Sequence, residues 1–451
     1  MRAFKLGLWN GNINLFSRKT KKLYRGLIPY LEAFVIDREY DLQDNVSEPE
    51  NPISLVEVTV FMKSLKFPKK FEMRDYQIEY VAHCIRRPRS VIISPTGSGK
   101  SLIIYSLLRW YDKRTLLIVP TIGLVGQMFD DFNEYAAGTP WNSEDMCSKI
   151  MGGYSKENLN QVTISTFQSA CDMPKEWFDQ FEMVVIDEAH KVAAKSITKI
   201  LESLTDCEIR IGTTGTVDEL KVHKFVLEGL LGKVHKIVDT KTLIDQKKLA
   251  EINIRCLLLQ YSAETKKKIP KSYIEEIQFL SGHHKRNLFI RNLALSLKEN
   301  TIVMFRYVDS HGKLLYELIK EKAPPGTDVF FIFGGTDADN RNEIRKIVES
   351  SKNRCILVAS IGTTAIGVNM VNIGNIISAS PTKSQIQVLQ AIGRGLRRDE
   401  NNQYFTWFDI ADDLSKSKSN KNYTLTHFMQ RLKIYSQERF PYKINSIQLE
   451  K

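Results

Sequence analysis

The sequence predicts an α/β protein with two tandem parallel-sheet domains. In the first half of the chain, short apolar segments alternate with helical patterns, and the alternation starts again near residue 252. The predicted strands lie at 91–93, 115–119, 162–165, 183–186 and 209–212, then at 254–259, 301–305, 329–333, 355–359, 375–377 and 405–408. Strands that alternate with helices form parallel sheets, whose ligand sites lie at the carboxyl ends of the strands. We therefore expect the functional residues there.

Length and composition favour more than one core. The chain has 451 residues, more than one ordinary domain, and 43% of them are hydrophobic. We expect an N-terminal appendage at 1–70, a first α/β domain at 71–248, a second at 249–422 and a helical extension at 423–451. The appendage is expected to be a small α+β unit.

The N-terminal appendage contains a hairpin signal followed by a basic segment. Alternating apolar residues at 4–9 and 13–16 flank Asn10-Gly11-Asn12, a sequence typical of tight turns. Its cations are candidates for contacts to a nucleic-acid backbone. They are Arg18, Lys19, Lys21, Lys22 and Arg25. The alternative is an exposed strand whose lysines prevent edge pairing.

The first predicted strand of the first domain runs into a glycine-rich loop, residues 94–101, with the sequence SPTGSGKS. Backbone N–H groups of Thr96, Gly97, Ser98 and Gly99 can surround a phosphate, because glycines permit the turn and a helix N-terminus follows. Lys100 would reach the β- and γ-phosphates, and Ser101 would bind Mg²⁺. The strict phosphate-loop pattern has glycine where this chain has Ser94. The alternative interpretation of the segment is an ordinary glycine turn before a helix.

A second acidic element follows the predicted strand 183–186. The strand ends in Asp187-Glu188-Ala189-His190, which places two adjacent carboxylates at its carboxyl end. Asp187 is a candidate Mg²⁺ ligand, and Glu188 is a candidate for polarising the attacking water. A solvated turn is the alternative for an isolated Asp-Glu pair. Together with the glycine-rich loop, the pair predicts nucleotide hydrolysis.

Charge and cysteine content narrow the class of protein further. The formal net charge is +12, which favours a polyanionic partner and salt-sensitive binding. No apolar run approaches the roughly 20 residues that span a bilayer, and the N-terminus has no secretory pattern, so we expect an intracellular protein without a membrane segment. The six cysteines form no C-x-x-C pair, and we expect reduced thiols.

An ordered series of motifs resembles the superfamily 2 helicases over roughly residues 70–410. The series comprises RDYQ at 74–77, the loop at 94–101, VPT at 119–121, STFQ at 165–168, DEAH at 187–190, TGT at 214–216, residues 363–369 and QAIGRGLR at 390–397. Segments 174–178, 303–305, 310–313 and 385–398 resemble the UvsW-type helicases of T-even phages. The basic N-terminal stretch resembles part of their DNA-binding domain, and because the likeness starts within that domain, an initial segment is expected to be missing.

The resemblance implies two RecA-like domains that use ATP and Mg²⁺. It implies that Gln77 reads adenine and that Gly367 contacts the nucleotide. Arg394 and Arg397 would be arginine fingers, a role that suits a guanidinium facing transition-state charge; a solvated basic helix face is the alternative. Residues that relay the nucleotide state would be His190, Thr214, Thr216 and Gln390. A helix cap is the alternative for His190.

The resemblance also implies a nucleic-acid path along the strand ends. Thr121, Thr166, Gly335 and Thr363 are candidates for phosphate contacts, with helix caps as the alternative for the threonines. The function implied is an ATP-dependent DNA helicase or translocase that remodels branched DNA, such as forks and four-way junctions. The partner would be DNA, branched or duplex with single-stranded segments, and the protein a cytoplasmic monomer, in the host cytoplasm if phage-encoded. The alternatives are an RNA-dependent ATPase, a nucleotide-regulated clamp and the motor of a restriction assembly.

Overall fold

Two seven-stranded parallel sheets form the cores of the protein, in a computed structural model of the chain. The structure describes residues 15–41, 43, 52–150, 159–191, 195–215, 221–268, 272–366, 373–380, 382, 384–396, 404–415, 417 and 420–450. The chain divides into two compact units between Val238 and Asp239. The first unit comprises the described residues up to Ser94 and from Gly99 to Val238, and the second unit comprises Pro95–Ser98 and the described residues from Asp239 onward. The predicted fold class is confirmed, whereas the domain boundary lies ten residues before the predicted one.

The described part of the N-terminal segment begins with a small hairpin. Strands β1 (Phe16–Ser17) and β2 (Lys22–Leu23) pair in antiparallel fashion, with Phe16 opposite Leu23. A short 3-10 turn leads into helix Ile28–Asp37, and helix Leu55–Ser64 follows. Ser54 and Glu57 form a capping box at the start of the latter helix. The hairpin predicted around Asn10-Gly11-Asn12 lies outside the described residues.

The sheet of the first unit has the strand order β5-β6-β4-β7-β8-β3-β9, and all its pairs are parallel. Its strands are β3 (Arg89–Ile93), β4 (Thr115–Val119), β5 (Cys147–Ile150), β6 (Val162–Thr166), β7 (Met183–Asp187), β8 (Ile209–Thr214) and β9 (Lys233–Lys236). The α-helices are Asp75–Arg86, Lys100–Tyr111, Ile122–Tyr135, Ser143–Met146, Phe167–Cys171, Lys195–Ser203 and Lys221–Leu230. The central strands β4, β6 and β7 are buried along their whole length, as expected for a sheet covered on both faces.

The sheet of the second unit has the order β12-β13-β11-β14-β15-β10-β16 and is also parallel throughout. Its strands are β10 (Glu251–Gln260), β11 (Thr301–Phe305), β12 (Thr327–Ile332), β13 (Arg354–Ser360), β14 (Asn375–Ser378), β15 (Tyr404–Asp413) and β16 (Tyr442–Gln448). The α-helices are Thr240–Asp245, Ala263–Lys267, Tyr273–Gly282, His284–Ser296, Lys313–Lys322, Ala338–Ser350, Ile361–Ile366, Gln385–Gly395 and Tyr423–Gln437, and a π-helix spans Val308–Gly312.

The C-terminal region contains the predicted helix and, after it, a strand that was not predicted. Helix Tyr423–Gln437 is present, but β16 follows it and pairs with β10, with Ile254 opposite Tyr442. The predicted helix is confirmed, whereas the segment after it, predicted as part of the helical extension, belongs to the second sheet. The sequence YKINSIQ is largely exposed and lacks an apolar run, because an edge strand has one hydrogen-bonded neighbour and a solvated side.

Buried ion pairs hold β15 in place within the second unit. Arg431 makes a bidentate contact to Asp409, with the closest approach 2.8 Å, and Arg286 contacts Asp412 at 2.8 Å. The four side chains are at most 1% exposed. Arg431 also donates to the Thr382 carbonyl and Arg286 to the Ala379 carbonyl, so both guanidinium groups fix the segment after β14.

None of the helices in the described ranges combines the length and the apolar character needed to cross a lipid bilayer. The six cysteines are free thiols, and all but the half-buried Cys171 are buried.

Candidate functional site

The glycine-rich loop connects β3 to helix Lys100–Tyr111 in the first unit. Ser94 N–H donates to the Thr214 carbonyl at 2.8 Å, which fixes the start of the loop against β8. Gly97 and Gly99 have φ of 83° and 84°, in the left-handed region that favours glycine. Leu102 N–H and Ile103 N–H donate to the Gly99 carbonyl, so the helix begins directly after the loop. The loop thus presents backbone N–H groups at a helix N-terminus, a suitable anion site.

Gln77 lies against this loop. Its side chain is buried, and its Oε1 accepts from Arg74 N–H at 3.0 Å. An ideal Cβ atom on Gly99 would lie 2.3 Å from Gln77 Nε2, so a larger residue at this position would displace the Gln77 side chain. The helix Asp75–Arg86 therefore holds the predicted adenine-reading residue beside the phosphate loop.

The two polar residues that begin the helix have hydrogen-bond partners within the first unit. Lys100 Nζ donates to the Ser94 carbonyl at 3.4 Å, and the Ser101 hydroxyl is hydrogen-bonded to the Tyr135 hydroxyl at 2.7 Å. Thr96 is half-buried, whereas Ser98 is buried and donates to the Pro95 carbonyl at 2.6 Å. At 3.4 Å, the Lys100–Ser94 bond is longer than a typical N–H···O hydrogen bond.

Asp187 lies at the end of β7, next to β8. The register of these strands pairs Asp187 with Thr213, and the Thr213 hydroxyl donates to Asp187 Oδ1 at 2.7 Å. Burial raises the pKa of Asp187, and the neighbouring Glu188 raises it further, whereas Lys100 and the Thr213 hydrogen bond oppose both effects. Lys100 and Thr213 therefore favour the ionised carboxylate that a metal ion requires.

The residues after Asp187 make a second contact between the end of β7 and β8, in addition to the bond between Asp187 and Thr213. Glu188 adopts φ of 56°, which is unusual for a residue other than glycine and recurs at functional sites. His190 Nδ1 lies 3.2 Å from Glu188 Oε2 and 3.0 Å from Thr214 Oγ1. The imidazole thus bridges the acidic motif and β8, and its contacts differ from the helix cap weighed as the alternative.

The donor chemistry of this site fits Mg²⁺. Ser101, Asp187 and Glu188 supply oxygen atoms, which Mg²⁺ prefers, usually through one or two carboxylates plus water and phosphate oxygens. Asp187 is buried with a raised pKa, and a divalent cation would favour its ionised form. Within the described ranges, no group of three or more His, Cys, Asp or Glu residues could hold a metal ion without such additional ligands.

The second unit carries part of the predicted site. Gln390 and Arg394 lie on helix Gln385–Gly395, although their side chains are not among those described. Gly367 and Arg397 of this unit, and Thr216 of the first unit, lie outside the described residues. The roles of these five residues stay predictions.

The residues predicted to contact phosphates differ in the hydrogen bonds that their side chains make. Thr166 caps helix Phe167–Cys171 by accepting from Ser169 N–H at 3.2 Å, and the Thr363 hydroxyl is bonded to Ser360 Oγ at 2.7 Å. Thr121 occupies the N-cap position of helix Ile122–Tyr135 without a capping bond, and its buried Oγ1 has no hydrogen-bond partner in the described part of the chain. Gly335 is exposed after β12.

The basic N-terminal hairpin is attached to the first unit. Arg18, Lys19, Lys21 and Lys22 are exposed around its turn, and Arg25 is half-buried. The hydroxyls of two tyrosines anchor the following segment: Tyr24 donates to Glu202 at 2.6 Å and Tyr30 donates to Glu228 at 2.6 Å. These contacts hold the cations on the first unit.

Two functional contacts were missed in the sequence. Thr213 bonds Asp187, and Tyr135 bonds Ser101, yet neither belongs to a motif that carries charge. Thr213 directly precedes the predicted Thr214 and follows from aligning the ends of β7 and β8. No sequence pattern near Tyr135 indicates its contact with Ser101, because the contact joins the first turn of helix Lys100–Tyr111 to the last residue of helix Ile122–Tyr135.

Comparison with known proteins gives similarities over the whole chain. Residues 70–219 match the family described as type III restriction enzyme, res subunit, and residues 284–399 match the helicase conserved C-terminal domain. The chain is 33% identical over 472 aligned residues to the ATP-dependent DNA helicase uvsW of Enterobacteria phage T4, covering 99% of this chain and 92% of that protein. It is 26% identical to the DNA 3'-5' translocase XPB2 of Sulfurisphaera tokodaii, covering 88% and 91%.

Among solved structures, the ATP-dependent type ISP restriction-modification enzyme LlaBIII bound to DNA is similar, with a TM-score of 0.62. The match covers 84% of this chain and 31% of that one at 16% identity. At this level of identity the likeness concerns the fold of tandem RecA-like domains.

Proposed function

Because the chain belongs to the UvsW family of superfamily 2 helicases, we propose that it is an ATP-dependent DNA helicase or translocase that remodels branched DNA, such as forks and four-way junctions. The identity of 33% to the phage T4 helicase along nearly the whole chain carries this proposal. The glycine-rich loop, the Asp187 to His190 segment and the net charge of +12 support it.

ATP binding would use the loop and the residues around it. Backbone N–H groups of Thr96, Gly97, Ser98 and Gly99 would hold the phosphates, and Gln77 would recognise the adenine. Lys100 would exchange its bond to Ser94 for a bond to the β- and γ-phosphates. Ser101 and Asp187 would hold Mg²⁺, which supplies charge neutralisation on the phosphate oxygens when bound.

Hydrolysis would depend on the two carboxylates and on the connection to β8. Glu188 would accept a proton from the attacking water while His190 holds its carboxylate in place. The bond between His190 and Thr214 would carry a change at the phosphates to β8, and Thr216 and Gln390 would belong to the same relay. Arg394 and Arg397 would stabilise the transition-state charge as arginine fingers.

DNA binding would combine strand-end contacts with the basic hairpin. Thr121 would contribute through the helix N-terminus that follows it, since its Oγ1 is buried. Thr166 and Thr363 would contribute through backbone groups, since their hydroxyls have local partners. Gly335 is exposed enough to admit a close phosphate. Arg18, Lys19, Lys21, Lys22 and Arg25 would contact the duplex backbone.

The protein would act as a monomer. It would work in the host cytoplasm, because a relative that covers nearly the whole chain is a phage protein. Light scattering after size exclusion, with and without DNA, tests the monomer. A stable dimer in both conditions would contradict it.

Strand displacement tests the proposed function. We expect the protein with ATP to convert a four-way DNA junction into duplex products, and a Lys100→Ala variant to leave it unchanged. A preference for structured RNA over every DNA substrate would contradict the assignment. Slow turnover with nucleotide-dependent binding and no strand displacement would indicate a clamp instead.

A further inference from the structure

An exposed group of aromatic and cationic side chains lies on the second unit, outside every residue assigned above. It comprises Tyr273, Arg306, Tyr307, Tyr423 and His427, and we call it the aromatic platform. Tyr307 and Tyr423 are 38% and 46% exposed, and Arg306 is exposed. Tyr273 and His427 are half-buried between them. Exposed tyrosines beside an arginine are typical of surfaces that bind unpaired bases.

The members of the platform touch one another. Tyr273 packs edge-on against Tyr423, with ring centroids 6.1 Å apart, and against His427 at 5.1 Å. Burial raises the pKa of Tyr273, and the nearby positive charge of Arg306 opposes this rise. The Arg306 guanidinium carbon lies 5.8 Å from the centroid of the Tyr307 ring. The arginine therefore links Tyr307 to the pair formed by Tyr273 and Tyr423.

A buried carboxylate fixes one side of the platform. Glu276 is 1% exposed and lies one turn after Tyr273 on the same helix. It accepts from the backbone N–H groups of Tyr423 at 3.1 Å and Thr424 at 2.8 Å, and from the Asn422 side chain at 2.9 Å. These bonds lock the start of helix Tyr423–Gln437 to helix Tyr273–Gly282, so Tyr273 and Tyr423 hold fixed positions.

The other side is fixed at the end of β11. Arg306 N–H donates to Ser380 Oγ at 3.1 Å, and Gly312 N–H donates to the Tyr307 carbonyl at 2.9 Å. Ser380 is held in turn by His311, whose second nitrogen contacts Asn287. Burial lowers the pKa of His311 to about 3, so this support stays neutral at physiological pH. The corner that carries Arg306 and Tyr307 is therefore rigid before any ligand arrives.

The platform lies beside the predicted phosphate path. Strand β11 is the neighbour of β13, and their register pairs Phe305 with Ser360, the hydrogen-bond partner of Thr363. Arg306 and Tyr307 thus follow β11 at the same sheet edge where Thr363 follows β13. A strand whose backbone runs along these ends would have its bases within reach of the neighbouring rings.

We propose that the aromatic platform stacks on unpaired bases of a single-stranded DNA segment, which deepens the proposed function and rests on it. The exposed faces of Tyr307 and Tyr423 would stack on bases, and Arg306 would contact the backbone or a base face. Stacking of this kind is tolerant of sequence, because every base has a π-face. The platform would hold an unpaired strand by its bases, where the threonine contacts hold it by its phosphates.

Fluorescence anisotropy without nucleotide tests this proposal. The probes are oligo(dT) and an abasic oligonucleotide of the same length, which has the same backbone charge without bases. We expect the wild-type protein to prefer oligo(dT), and the double variant Tyr307→Ala/Tyr423→Ala to bind oligo(dT) about tenfold more weakly. Binding of the abasic probe should stay unchanged, because the phosphate contacts remain.

Two further variants make the experiment specific. Tyr404→Ala removes a 68% exposed tyrosine at the amino end of β15, the opposite edge of the same sheet, and should leave both affinities unchanged. Tyr307→Trp keeps an aromatic face and should retain the preference for oligo(dT). An unchanged preference in the double variant, or equal weakening for both probes, would overturn the proposal, and so would tighter binding of oligo(rU) than of oligo(dT).

The experiment on the aromatic platform can fail while the proposed function holds. DNA-stimulated ATP hydrolysis by the wild-type protein tests the motor, whereas the base preference is measured without ATP. A wild-type protein that hydrolyses ATP with DNA but lacks the base preference would contradict the platform alone.

Discussion

At the scale of single residues, the central feature is a buried carboxylate held ready for a cation. Asp187 is 7% exposed, and burial raises its pKa while Lys100 and Thr213 oppose the rise. A carboxylate protonated at neutral pH could not hold Mg²⁺. The hydrogen bond from Thr213 is therefore expected to extend the working range of the site toward lower pH.

A Thr213→Val substitution tests this idea. It keeps the side-chain volume but removes the hydrogen bond to Asp187. The pKa of Asp187 should rise further, so the ionised form is lost at a higher pH as the pH falls. We expect the acid limb of the kcat profile to move to higher pH and kcat at neutral pH to fall about five- to tenfold. DNA-stimulated ATP hydrolysis measured from pH 5 to 9 checks both.

Thr163→Val is the matched control. Thr163 is a fully buried threonine of β6 whose hydroxyl has no hydrogen-bond partner in the described part of the chain. The same substitution there should leave the pH profile unchanged. A profile for Thr213→Val that overlays the wild-type curve would contradict the role of this hydrogen bond.

Sequence identified most of the charged residues in the first unit's site and missed their neutral partners. Lys100, Asp187 and Glu188 follow from the chemistry of nucleotide hydrolysis and from their positions after apolar strands. Thr213 and Tyr135 act through hydrogen bonds that exist only after β7 lies beside β8 and the two helices pack together. Such contacts leave no local pattern.

At the scale of elements, buried ion pairs attach the C-terminal helix to the second sheet. Arg431 on helix Tyr423–Gln437 neutralises Asp409 of β15, and Tyr435 donates to the same carboxylate at 2.8 Å. The Trp407 ring N–H donates to the Tyr435 hydroxyl at 3.1 Å. Loss of these bonds is therefore expected to destabilise the helix and the strand together.

Replacing Arg431 with Met should destabilise the protein strongly. The substitution leaves Asp409 buried without its cation, an arrangement that costs about 3–5 kcal/mol. Urea denaturation followed by circular dichroism measures the change. Lys313→Ala, which breaks the exposed pair Lys313–Asp309, is the control and should change stability by less than about 1 kcal/mol. Equal effects of the two substitutions would contradict the account.

The attachment of the N-terminal hairpin is a second prediction at this scale. An ideal Cβ atom on Gly26 would lie 1.8 Å from the Glu228 carbonyl oxygen, so Gly26→Ala should separate the segment from the first unit. We expect cleavage by trypsin near Arg25 to become at least about tenfold faster, since local opening exposes the chain. Gly123→Ala, where a Cβ atom meets nothing within 4 Å, should leave the cleavage rate unchanged. A resistant Gly26→Ala variant would contradict the anchoring role.

The strands that sequence reasoning missed share one property. β5, β9 and β16 each lie at a sheet edge, and their sequences CSKI, KVHK and YKINSIQ mix polar and apolar residues. Central strands are buried on both faces and are recognisable as apolar runs, whereas edge strands keep a solvated side. The architecture was predictable for this reason, whereas three of the four edge strands were not; the fourth, β12, contains an apolar run and was predicted.

At the scale of the whole molecule, the charge of +12 implies binding that depends on salt. Each phosphate neutralised by the protein releases counterions, so the logarithm of the binding constant falls linearly with the logarithm of the salt concentration. The exposed cations of the N-terminal hairpin are expected to contribute to this slope on duplex DNA.

Replacing Arg18, Lys19, Lys21 and Lys22 with Ala tests that contribution. If all four contact phosphates of a duplex, the slope should become less steep by about 3 to 4 units. Anisotropy titrations of a linear duplex between 50 and 200 mM salt, roughly the range in which such slopes are determined, measure it. An unchanged slope would show that these cations do not contact the duplex.

Steady-state ATP hydrolysis with and without DNA tests the central claim most directly. The wild-type protein and Lys100→Ala are compared without nucleic acid and with single-stranded DNA, linear duplex, a four-way DNA junction and structured RNA. We predict strong stimulation by DNA, greatest with the junction, and a loss of at least about 100-fold in Lys100→Ala, because the substitution removes a cation from the phosphates. Stimulation by RNA alone, or DNA-stimulated hydrolysis that survives in Lys100→Ala, would contradict the account.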